Sequence, residues 1–206
     1  MTFKEKAENF FYYYKWHLII GAVVALVVGY AVVSSLGSHE PDLYMIYASD
    51  KGVSTDTSDK LEDMLSGAGL IKDIDGDGTE KMIFDPMVVD MESNGGGDYM
   101  TLQKLQTVLL AGTQTVMFVH RYIVEDYNGA FEDLSDYVPD GAETIADTDG
   151  GVSAISVQGN KKLESCGINT ENLFVGIRRR TDKQIKKGEF EKEYDAAYDV
   201  IKFILN

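Results

Sequence analysis

Residues 99–119, YMTLQKLQTVLLAGTQTVMFV, decide how this chain folds. Leu102, Leu105 and Leu109 recur at helical spacing and share one face of a helix over Tyr99–Ala111. Gly112 then ends that helix, as a residue without Cβ does at least cost. Thr115–Val119, TVMFV, is a short apolar run that reads as a buried strand.

The same alternation extends both ways. Upstream, Leu43–Ala48 (LYMIYA) has strand length and composition, and Thr57–Gly67 places Leu61, Met64 and Leu65 at helical spacing. Lys81–Asp90 (KMIFDPMVVD) reads as a strand in which Pro86 marks an edge, a bulge or an interruption. SNGGGD is a loop. Downstream, a helix is expected around Arg121–Tyr127 and a turn at Pro139-Asp140-Gly141. Strands are expected at Val152–Val157 and Leu173–Ile177. A closing helix over about Phe190–Leu205 puts Phe190, Tyr194, Ala197, Tyr198 and Ile201 on one face. Strands separated by amphipathic helices imply β-α-β units, hence a single three-layer α/β domain with a mostly parallel sheet over residues 42–206.

The N-terminal quarter is different. Leu18–Leu36, LIIGAVVALVVGYAVVSSL, holds no charged residue and is long enough, as a helix, to cross a hydrocarbon core of ~30 Å. Trp16 and Tyr12–Tyr14 flank one end, as membrane-interface aromatics do. Lys4, Lys6 and Lys15 precede the span, and no Lys or Arg follows until Lys51, which places the N-terminus in the cytoplasm and the rest outside. The expected organisation is a cytoplasmic juxtamembrane segment (1–17), a transmembrane helix (18–36), a linker (37–41) and an extracytoplasmic domain (42–206). An uncleaved signal anchor is the expectation; the alternative is a signal peptide cleaved near Val33-Ser34-Ser35. Gly21, Ala25 and Gly29 fall on one helix face, a spacing that lets two such helices approach as a homodimer.

A formal net charge of −15 on 206 residues argues against nucleic-acid binding, which needs clustered cations for phosphate. Cys166 is the only cysteine, so no internal disulfide forms; it reads as buried filler rather than a reactive thiol.

Three groups of residues stand out chemically. Asp73, Asp75 and Asp77 alternate in DIDGDG with a glycine at the sixth place, a pattern that can wrap calcium with the Thr79 carbonyl as a further ligand. The twelfth place, where an EF-hand needs a bidentate Glu, is Phe84, so the alternative is an acidic turn. Asp147-Thr148-Asp149-Gly150-Gly151 is a weaker version. Ser49, Asp50, His120 and Arg121 lie at the expected carboxyl ends of two strands, where ligands settle in open α/β sheets. Arg178–Arg180 with Lys183, Lys186 and Lys187 forms a basic run that could meet an acidic partner or remain a solvated loop. Nucleophile-elbow, zinc-protease and phosphate-loop motifs are missing from the sequence, so no catalytic residues are assigned and a cell-surface enzyme is the least favoured class.

The opening KEKAENFFYYYKWH, running into an apolar helix, resembles the start of many single-pass membrane proteins of Gram-positive anaerobes. Residues 102–137, LQKLQTVLLAGTQTVMFVHRYIVEDYNGAFEDLSDY, are similar to the first lobe of extracellular solute-binding proteins that serve ABC importers; residues 152–179 and the terminal helix are similar in style. The resemblance implies one lobe of a periplasmic-binding-protein fold and a place beside a transporter. Only 14 residues separate Tyr137 from Val152, too few for the second lobe that closes over a solute. The expected role is therefore a membrane-anchored extracytoplasmic binding or scaffolding protein with a membrane or cell-surface protein as partner. The alternative is a small-molecule receptor with its cleft at the strand ends.

Overall fold

The computed structural model describes residues 3–36, 41–89, 99–187 and 190–206. The glycine-rich loop, Asp90 and most of the linker lie outside them. The chain divides into two compact units, Met1–Glu40 and Pro41–Asn206.

The first unit is one helix, α1 (Phe3–Leu36), which carries both the aromatic N-terminal stretch and the apolar run. From Ile19 to Tyr30 every residue is exposed, so apolar side chains ring the helix on all sides. Among the described residues no helix is long and apolar enough to cross a membrane.

The second unit is an α/β domain. Its elements run β1 (Leu43–Ser49), α2 (Thr57–Gly67), β2 (Met82–Val88), α3 (Tyr99–Ala111), β3 (Val116–His120), α4 (Arg121–Asp126), β4 (Thr144–Ala146), β5 (Val152–Ser156), α5 (Lys161–Ser165), β6 (Leu173–Ile177), α6 (Asp182–Lys187) and α7 (Glu191–Leu205). A single 3₁₀ turn, Ser135–Tyr137, precedes β4. The strands form one sheet in the order β2-β1-β3-β6-β5-β4.

Alternation along each strand splits the core between two faces. On one face Leu43, Met45 and Tyr47 of β1, Val116 and Phe118 of β3, and Leu173, Val175 and Ile177 of β6 meet Leu61 and Leu65 of α2, Leu163 of α5 and the Tyr194–Ile204 side of α7. On the other, Ile46, Ala48, Met117, Val119 and Phe174 meet Leu105, Val108 and Leu109 of α3 and Ile123 and Val124 of α4. The sheet is thus the middle of three layers. Asn160 joins two elements of the first face: its side-chain oxygen accepts the Lys162 and Leu163 N–H groups to cap α5, and its Nδ2 donates to Ile204 O at 2.7 Å near the end of α7.

The expected mostly parallel sheet holds for only half of the molecule. β1 pairs parallel with β2 and with β3, but β3–β6, β6–β5 and β5–β4 are antiparallel, so the sheet is mixed. For β4 and β5 the physical reason lies in their connection. A parallel return needs a dozen or more residues, whereas Asp147–Gly151 turns β4 straight into β5. Gly151 makes that turn possible: a Cβ there would stand 2.7 Å from the Asp133 carboxylate. Pro86 lies in β2, an edge strand, where its missing N–H costs no interior ladder bond.

Candidate functional site at the carboxyl edge of the sheet

β1, β3 and β5 end on the same edge of the sheet, and β6 begins there. From that edge the chain leaves β1 toward α2 on one face and leaves β3 toward α4 on the other. Adjacent parallel strands whose continuations part in this way leave a crevice between them. Ser49 and His120 lie one step beyond the last registered β1–β3 pair, Ala48 with Val119, so the fold brings them side by side.

The groups there are coupled. Buried Ser49 donates to Asp50 Oδ1 at 3.1 Å, and Lys51 Nζ pairs with Asp50 Oδ2 at 3.2 Å. Burial pushes the Asp50 carboxyl up. The Lys51 and Ser49 hydrogen bonds, with the charges of Lys51 and His120, outweigh it and hold the group below the usual carboxylate range. His120 Nδ1 is buried without a hydrogen-bond partner, and its ring lies 5.4 Å from that of Tyr122. The Tyr47 hydroxyl, also buried, points toward Ser49 without a hydrogen bond of ordinary geometry; burial above all raises its pKa. Tyr47 is the member that sequence reasoning missed. Its signal was its place two residues before Ser49, on the same strand face.

Arg121 does not join this group. Its guanidinium lies 4.8 Å above the Phe174 ring, on the opposite face of the sheet, and pairs with Glu143 and with Glu125. Of the four residues expected to share a cleft, the structure assembles Ser49, Asp50 and His120 and turns Arg121 away.

Farther along the same edge, Gln158, Gly159, Glu164, Asn169, Thr170 and Glu171 line a wide-mouthed groove of about 590 Å³. A second groove shares Gln158 and Gly159 with it and continues to Glu143 and Pro139. Thr170 Oγ1 fixes the wall of the first: it accepts the Gly159 N–H at 3.0 Å and donates to Glu164 Oε1 at 3.0 Å.

The aspartate loop lies elsewhere. Oxygens of Asp73 and Asp75 approach within 4.8 Å of one another and of Asp42, a buried residue just before β1 that the sequence did not connect with them. Asp77 is not part of that group; its Oδ1 accepts the Thr79 N–H at 2.6 Å. Backbone donors already engage the two best-placed carboxylates. Asp42 accepts from Ile74, Asp75 and Lys81, and Asp73 accepts from Gly76, Asp77 and Gly78. With about four lone-pair sites per carboxylate, each has roughly one left, while calcium wants six to eight oxygens. Asp42, Asp73 and Asp75 are the residues that could hold a cation; their geometry equally suits an N–H-stitched turn.

No family model, curated protein or solved structure matches this chain.

The basic run divides in two, its arginines engaged by the fold and its lysines exposed on α6. Arg178 is completely buried, Arg179 pairs with buried Asp147, and Arg180 pairs with Glu132 at 3.2 Å while covering the Tyr194 ring at 4.4 Å. The three arginines are neutralised or buried inside the fold, while Lys183, Lys186 and Lys187 are exposed on α6. Cys166 is buried too, with Sγ 3.7 Å from Lys60 O and 3.8 Å from Met64 Sδ, and burial pushes its thiol pKa up; it fills core space rather than offering a thiolate.

Proposed function

We propose that the chain is a membrane-anchored extracytoplasmic binding or scaffolding protein, held in the bilayer by residues 18–36, whose α/β domain meets a protein partner through the carboxyl edge of its sheet. The observation that carries the reading is the form of that edge. The described residues there make broad, open grooves along the connection between β5 and β6, rich in polar side chains, which suits a protein surface better than an engulfed small molecule. The anchor rests on the uncharged run of residues 18–36 and on the uncovered apolar ring of Ile19–Tyr30.

A second reading has its own support. The buried, unpartnered Tyr47 hydroxyl and His120 Nδ1 beside Ser49 and Asp50 are polar groups that a small ligand in the β1–β3 crevice would satisfy.

A photo-crosslinking residue at Gln158, on the edge, is compared with one at Thr113, exposed at the opposite end of β3, in cells producing the full chain. The proposal predicts a discrete crosslinked protein from position 158 alone. Equal products from both positions, or none from 158, overturn it.

A further inference from the structure

We propose that the groove lined by Gln158, Glu164, Asn169, Thr170 and Glu171 receives a cationic, lysine- or arginine-bearing segment of the partner protein; this rests on the edge being the partner-binding surface. The groove holds about 590 Å³, room for a few extended residues rather than a folded element. Its wall offers acceptors. Thr170 ties down one oxygen of Glu164, fixing that carboxylate and leaving its other oxygen without a hydrogen bond among the described residues. Exposed Glu171 likewise has no side-chain partner among them; its backbone N–H is occupied by Asn169 Oδ1 at 2.9 Å. The lining contains two carboxylates and two amides and no Lys, Arg or His, so an anionic guest finds no counter-charge there. The wider field agrees. Residues 1–40 carry three lysines and three glutamates, so the whole net charge of −15 belongs to residues 41–206. That field draws cations toward the domain, and the two carboxylates give an arriving ammonium or guanidinium a fixed place to pair.

General attraction to an acidic protein has to be separated from recognition by this groove. Binding of a fluorescent ten-residue lysine peptide to the full chain in uncharged detergent micelles is measured by anisotropy at low salt. It is compared for wild type, Glu164→Gln with Glu171→Gln, and Glu191→Gln with Glu193→Gln. The last pair removes the same charge at the far end of α7, and glutamine at 164 keeps an oxygen for Thr170. The proposal predicts affinity about tenfold lower for the groove variant and less than about twofold lower for the distal one. Equal losses in the two variants reduce the effect to net charge and overturn the groove assignment, as does no binding by wild type. Crosslinking at Gln158 that survives in the Glu164→Gln, Glu171→Gln variant keeps the edge as an interface while rejecting a cationic segment in the groove.

Discussion

Arg178 is the largest side chain that the domain hides completely. Its Nε donates to Gln114 O and its Nη1 to Arg179 O, both at 3.1 Å, while Nη2 is buried without a partner. Burial lowers its pKa, with Tyr194 and Glu132 opposing that shift. Truncation to alanine orphans two carbonyls and opens a cavity; Arg178→Ala is expected to cost about 3–5 kcal/mol in chemical denaturation. Arg178→Met fills the space without a buried charge and is expected to recover at least half of that loss. Asp147 gives the pH prediction. Burial pushes its carboxyl up, but the Arg179 hydrogen bond and charge, with the Thr148 N–H and hydroxyl, hold the pKa below normal. A depressed folded-state pKa contributes stability above the unfolded value near 4 that is lost as pH falls through the folded value. Asp147→Asn is therefore expected to flatten the acid limb of a stability–pH curve below about pH 4; an unchanged limb contradicts the pairing. None of this was legible in RRR. Three consecutive arginines declare their charge, but their partners Glu132 and Asp147 lie 48 and 32 residues upstream, and only the assembled sheet brings them together.

Elements whose own periodicity is strong were readable, and those set by their neighbours were not. Thr57–Gly67 and Tyr99–Ala111 stand as α2 and α3 with the expected bounds, because an apolar stripe at helical spacing is a local property. β4, α5 and α6 have three, five and six residues and left no such period. β4 exists because Ile145 pairs with Ala154 and buries its side chain, a contact that the sequence does not announce. Missing it also hid the antiparallel half of the sheet. The aspartate loop is the same lesson in chemistry: alternating carboxylates were visible, but Asp42, which accepts three of the loop's backbone donors, was not. The lone-pair accounting favours a structural turn. Asp42→Ala is expected to lower stability by about 2 kcal/mol or more, and Asp75→Ala, an exposed group, by less than about 1 kcal/mol. Millimolar calcium, compared with chelator, is expected to move the melting temperature by less than about 1 °C; a rise of several degrees, abolished by Asp73→Ala, would make the loop a cation site.

Across the whole molecule, charge and hydropathy are segregated. Residues 1–40 are electrically balanced and contain the apolar helix, and residues 41–206 carry the entire net charge of −15 around a three-layer core. The three layers and the presence of parallel β-α-β units were legible from alternation along the chain. The switch-point crevice and the shared edge groove required strand order, which no local pattern encodes. The functional account stands on the domain facing outward from a membrane, and topology is the measurement that tests it most directly. In intact cells producing the full chain, Thr55→Cys is placed in the exposed β1–α2 connection, with Cys166→Ser removing the buried thiol. A membrane-impermeant maleimide is expected to label position 55 from outside without lysis; labelling that appears only after lysis contradicts the account.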